Sequence, residues 1–193
     1  MKKSAIQTLV IAAMLLALAL LLPFLTGQIP QIGSMLSPMH LPVLLCGFLC
    51  GPLWGFAVGA VAAPLRFVLF GMPQVPMCFF MAAEMAVYGL LAGLLYRIFP
   101  KKIPFLYASL LLAMIGGRLV YGAVSWMTIA MDGGTYTLNA FLASTVVGAW
   151  PGILLQILLV PAIVIALKHA KRIGNRTRSQ ASSQKSPENQ ETV

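Results

Sequence analysis

The chain has 193 residues, 60% of them apolar and only 9% charged, with a formal net charge of +9. An average domain carries roughly 25% charged residues, so this composition excludes a soluble domain. It fits one compact membrane unit, expected over residues 1–170, with a short polar tail over 171–193. No basic stripe alternates with exposed aromatics, so the positive charge reads as topology and lipid-headgroup attraction rather than nucleic-acid binding.

A membrane span needs about 20 apolar residues. Residues 5–24 form the first candidate. Lys2 and Lys3 give it a basic start like a signal peptide, but Thr26-Gly-Gln-Ile-Pro follows where a small-x-small cleavage site would stand, so it is kept as a span. Ala13 and Ala17 place small residues one turn apart on this Leu-rich helix. Such spacing lets helix backbones approach closely in lipid, either inside the bundle or against another protein.

The apolar stretch 41–70 is too long for one ordinary helix and is interrupted by Gly51-Pro52. Proline removes a helix donor and restricts its predecessor, which predicts two helices, 41–50 and 53–70. The first is short for a full span. Gly47, Gly51, Gly55 and Gly59 recur every four residues around the break, and Gly89 and Gly93 do so in the next span, 77–96. Most of these are expected to serve internal packing. Spans 103–127 and 139–167 follow, both long enough to tilt. Cys46, Cys50 and Cys78 sit in apolar runs without His or acid neighbours and read as small buried hydrophobes, so no metal is expected. From Lys171 onward Ser, Gln, Asn and Lys dominate, and a cytoplasmic disordered tail is expected. The Asn175-Arg-Thr sequon in it is read as chance.

Cations decide the topology. With six spans and both termini cytoplasmic, eleven of the thirteen Lys and Arg fall inside and none in an outer loop, against nine and two at best for five spans. The positive-inside rule prefers the six-helix, all-α bundle. Loops 25–40, 72–76 and 128–138 then face outward.

The remaining two cations, Arg66 and Arg118, lie inside apolar spans, as does Glu84. At 1.5 Å per residue all three fall within roughly 6–14 Å of the outer boundary. Each charge costs about 2.5–3.5 kcal/mol near a helix centre, on the order of 8 kcal/mol for three unpaired. One Glu cannot neutralise two Arg, and an anionic ligand would satisfy the surplus; the alternative is an ion pair that merely fixes helix order. Nearby residues favour a pocket. Tyr88 is one turn from Glu84, Tyr121 and Ser125 share the Arg118 face, and Asn139 and Trp150 stand three turns apart on the last span. His40 opens the second span within a Pro- and Met-rich segment suited to capping a cavity. Ser37 and His40 could suggest a nucleophile and base, but no orienting acid lies near them. No catalytic motif or phosphate loop is present, so no catalytic residue or cofactor is assigned and any ATP is hydrolysed by another chain.

Several strings together carry a family resemblance: Ser34-Met-Leu-Ser-Pro-Met-His-Leu-Pro-Val-Leu-Leu-Cys-Gly-Phe, Gly51-Pro-Leu-Trp-Gly-Phe-Ala-Val-Gly, Pro64-Leu-Arg, Phe70-Gly-Met-Pro and Ala149-Trp-Pro-Gly-Ile-Leu-Leu-Gln. The chain resembles the substrate-binding S components of bacterial energy-coupling factor (ECF) vitamin transporters. Ala13-x-x-x-Ala17 matches that family's small-residue docking motif. The resemblance implies a six-helix bundle in the bacterial cell membrane. Such a bundle is expected to bind one vitamin-like molecule near the outer face and to dock onto a membrane coupling protein and two cytosolic ATPases. The nearest branch is the one assigned pantothenate, whose carboxylate suits buried Arg; queuosine precursors, riboflavin and folate stand behind it. A stand-alone secondary transporter or channel would be expected to show repeats or a chain of acids, and an intramembrane enzyme an acid–base constellation; neither pattern appears.

Overall fold

The computed structural model describes residues 5–25, 38–100, 102–131 and 150–184. Among them every regular element is helical: α1 (Ala5–Leu25), α2 (His40–Cys50), α3 (Pro52–Phe70), α4 (Met77–Ile98), α5 (Ile103–Met131) and α6 (Trp150–Gln184). Five of the six are long and apolar enough to cross a membrane, and α2 is the shorter apolar helix. The protein is therefore an all-helical, multi-pass membrane protein.

The expected break between α2 and α3 falls at Gly51, whose φ of 101° belongs to the region that only glycine enters without strain. Its N–H still donates to the Gly47 carbonyl at 3.1 Å, closing α2, and Pro52 opens α3 in the first-turn position where its missing N–H costs nothing. The far end of α3 is closed by Gly71 in the left-handed conformation, its N–H donating to the Phe67 carbonyl at 2.8 Å.

Helix α2 is short because it lies inside the bundle rather than beside lipid. Every residue from His40 to Phe48 is buried, and α1, α3, α4 and α6 all pack on it. The length of α4 gives a ruler. His40 meets Glu84, about 10 Å along α4 from Met77, whereas Pro52 meets Gly93, about 24 Å along. Eleven residues rise about 16 Å, which spans that interval. The chain entering α2 at Met39, itself 3% exposed, thus lies well inside the bundle. Non-helical backbone is tolerated at that depth only where protein surrounds it.

Backbone contact between α3 and α4 sets the packing. A Cβ at Gly55 would collide with the Gly89 carbonyl, one at Gly59 with the Met85 carbonyl, and one at Gly89 with Gly55 in return. The four-residue glycine spacing is thus the seam of these two helices, as the sequence led one to expect. On the other side of α4, a Cβ at Gly117 of α5 would run into the Tyr88 ring. Its absence lets α5 close on α4 just where Arg118 follows.

Two cores flank this centre. Leu41, Leu44, Tyr88, Leu106, Leu110 and Val160 join α2, α4, α5 and α6, and Ala12, Ala19, Val43, Val58, Ala62 and Met85 join α1 to α4. Helix α1 packs on α2 and α3, with Leu15 and Leu16 partly buried against the cores. It uses Ala12 and Ala19, whereas Ala13 and Ala17 lie on the exposed side with Ile6, Val10 and Met14.

The change of composition at Lys171 does not end α6, which runs on to Gln184. Lys, Arg, Gln and Ala all tolerate helix, and an established helix propagates far more readily than a new one starts. Residues 185–193 lie outside the described residues.

Candidate functional site

Helix α4 touches α2, α3 and α5, so a polar residue on it is enclosed from several sides. Glu84, 1% exposed, points into the angle between α2 and α5. From α2, the His40 Nε2 atom lies 3.4 Å from Glu84 Oε2. From α5, an Arg118 terminal nitrogen lies 3.2 Å from Oε1. One carboxylate therefore bridges two other helices. The His40 and Glu84 side chains are each 2% exposed and that of Arg118 17%, so the cluster reaches open space through Arg118.

Tyr88, one turn along α4 and fully buried, closes the inner side. Its ring stands edge-on to His40 with centroids 5.2 Å apart, and its hydroxyl faces Glu84 and Arg118 without completing a well-aligned hydrogen bond. Two turns beyond Arg118, Ser125 is 2% exposed. Tyr121 between them packs edge-on against Phe80 at 6.0 Å.

The cluster is short of hydrogen bonds. Both His40 nitrogens, Glu84 Oε1, the Tyr88 hydroxyl, Arg118 Nε and Ser125 Oγ are buried atoms with no hydrogen-bond partner among the described residues. The Glu84 contacts have ion-pair distances without hydrogen-bond alignment. Native interiors pair nearly all such atoms, and each left unsatisfied costs about 1–3 kcal/mol.

The expected trio of charges divides. Arg66 does not reach Glu84. It lies on the α3 face toward α1, donates to the Leu20 carbonyl at 2.9 Å and sits 5.4 Å and 5.7 Å from the Phe24 and Phe70 ring centres. Equal depth on two helices does not make residues neighbours when their faces turn apart. The surplus positive charge expected of one Glu and two Arg is therefore not at this site, where Glu84 meets Arg118 and His40. Trp150 begins α6 at 56% exposed and is not brought to the cluster, and Asn139 lies outside the described residues. His40, read from sequence as part of a cap, is a direct partner of Glu84. Gln156 was missed. It is 1% exposed with an unpaired Oε1, and its signal was an amide inside an otherwise apolar span.

Residues 7–164 match the family described as ECF transporter, substrate-specific component. The chain belongs to that family. An S component is the substrate-binding subunit of a transporter and not an enzyme, and it works with a substrate, an ECF coupling protein, ATPases and the lipid around it. No curated protein and no solved structure matches the chain.

For this S component the Glu84–Arg118 contact is testable by a double-mutant cycle. Removing one partner of a buried pair costs about 3–5 kcal/mol because the other charge is left alone. Glu84→Gln is expected to lower the thermal midpoint of the detergent-purified protein, and adding Arg118→Met should recover part of the loss. Strictly additive losses would mean that the two side chains do not interact.

Proposed function

We propose that this S component binds one small, vitamin-like molecule at the His40–Glu84–Tyr88–Arg118 cluster, with Tyr121 and Ser125 alongside, for ATP-driven uptake by its partner subunits. The observation that carries this reading is the set of buried polar atoms without partners converging from α2, α4 and α5. A site that mixes aromatic walls with a few directed polar groups suits a small molecule. Arg66 is left out of it, because its guanidinium is turned toward α1, where one terminal nitrogen donates to the Leu20 carbonyl.

Pantothenate is the first choice of ligand. Arg118 Nε is an unused donor in a group whose planar fork suits a carboxylate. The second reading is a ligand without a carboxylate, riboflavin or a queuosine precursor; folate, which carries carboxylates, stands with pantothenate on this point. The second reading draws support from the charge balance, since Glu84 already answers the single Arg present. Calorimetry with pantothenate and its uncharged alcohol analogue separates the two. A carboxylate clamp expects the wild type to prefer the acid strongly. Arg118→Met should weaken binding roughly 30-fold or more and erase the preference. Equal binding of acid and alcohol by the wild type would remove the carboxylate reading.

We also assign six membrane segments with both termini cytoplasmic, in a bacterial cell membrane, with the cluster in the outer half. The eleven flanking cations support this, and α2 counts as the sixth segment because α3 returns directly from its inner end. Cysteines introduced into a cysteine-free background report it in intact cells. Gly133→Cys should react with an impermeant reagent and Asn175→Cys should not, and the reverse result overturns the topology.

Docking onto the coupling protein is assigned to the exposed Ala13–Ala17 face, which the bundle itself leaves unused. Replacing both with Trp should abolish uptake while leaving ligand affinity unchanged, since the bulk blocks backbone approach at a distance from the cluster. Retained uptake would reduce this face to lipid contact.

A further inference from the structure

Among the described residues, five of the seven buried polar atoms without partners belong to His40, Glu84, Tyr88 and Arg118; the others are Ser125 Oγ on α5 and Gln156 Oε1 on α6. Helix α6 packs against α2 and α5, the helices that carry His40 and Arg118. Gln156 is 1% exposed, so its side chain is enclosed by protein. Ile153 and Ile157 beside it, and Val160 one turn on, pack into the core that contains Leu41 and Tyr88. Leu41 follows His40 and Tyr88 touches it. Measured from the basic residues that the proposed topology places on the cytoplasmic side, Gln156 lies about 18 Å along α6 from Lys168 and Glu84 about 20 Å along α4 from Arg97.

We propose that Gln156 lines the same cavity as His40, Glu84 and Arg118 and there hydrogen-bonds a neutral polar group of the ligand, a hydroxyl or an amide. The proposal rests on the binding reading above and extends it to a fourth helix. An amide both donates and accepts, so it complements a hydroxyl or peptide-like group and discriminates against an apolar one. A site that pairs a substrate's polar group rejects analogues lacking it, because the protein's own buried group is then left unsatisfied. The ligand therefore has two recognition points: one held by the charged cluster, and one neutral and hydrogen-bonding, held from α6. Gln156 acts as a specificity-determining residue.

Two measurements test this, and the first needs no ligand. In a background with Cys46, Cys50 and Cys78 replaced, Gln156→Cys is treated with a small water-soluble thiol reagent, with Ser125→Cys as the cavity reference. Modification at both positions is expected; modification of Ser125→Cys alone overturns the proposal, and modification of neither passes the decision to the second measurement. There, Gln156→Leu is compared with the wild type for ligand-free thermal midpoint and for pantothenate affinity. The midpoint should hold or rise, because a buried group without a partner has been removed, and affinity should fall about 3- to 10-fold. A clear fall in the ligand-free midpoint identifies a structural hydrogen bond and overturns the proposal, as does unchanged affinity. If the wild type binds no pantothenate, the pantothenate reading fails by itself. Thiol modification and midpoint then decide Gln156 alone, a fall in midpoint or protection from the reagent counting against it.

Discussion

Glu84 is a carboxylate on α4, the helix against which α2, α3 and α5 all pack, and hydrocarbon offers it no water. Its oxygens must be met by protein, and they are met from two directions, by His40 of α2 and Arg118 of α5. Because those contacts operate only over a few ångströms, they dictate that α2 starts at the level of Glu84 and that α5 lies close against α4. A short second helix follows, since its starting depth is fixed by His40 and its end by the meeting of Pro52 with Gly93. The carboxylate both organises the helices and leaves the residues around it incompletely bonded.

Close approach is made possible by missing side chains. Gly55, Gly59 and Gly89 bring the α3 and α4 backbones into contact, and Gly117 makes room for the Tyr88 ring. In lipid no hydrophobic force favours one helix pairing over another, so van der Waals contact along such seams decides which helices adjoin. The glycine seam on one face of α4 anchors it, and the charged face opposite is held at a repeatable distance from α5. A substrate-binding subunit needs that rigidity, since a misplacement of about 1 Å separates a hydrogen bond from none.

Arg66 shows how the same cost is met differently. It carries no carboxylate partner among the described residues. A backbone carbonyl of α1 and two aromatic rings surround its guanidinium instead. Cation–π contact is worth about 2 kcal/mol when desolvated, which offsets much of the cost of an intramembrane charge. The result is a tie between the ends of α1 and α3. The opposite side of α1 stays free of the bundle, which is what a helix offered to a membrane partner requires.

The residues alone determined the class of this protein. Apolar runs of span length, the Gly51-Pro52 break, the four-residue glycine spacing and the three intramembrane charges are all local properties of one dimension. So is the family, carried by short strings along most of the chain. Depth was legible too, because helical rise converts sequence position into distance along an axis. What the sequence could not supply is azimuth, the direction in which each helix turns its faces. Only the packed bundle decided that Arg66 looks toward α1 and Arg118 toward Glu84, and that His40 joins the charges while Trp150 does not. Gln156 stood out in the sequence as an amide in an apolar span, but its burial and its unpaired Oε1 emerged only with α6 packed against α2 and α5. Rotation of a helix about its axis depends on contacts among residues far apart in the chain, and no single stretch of sequence contains them.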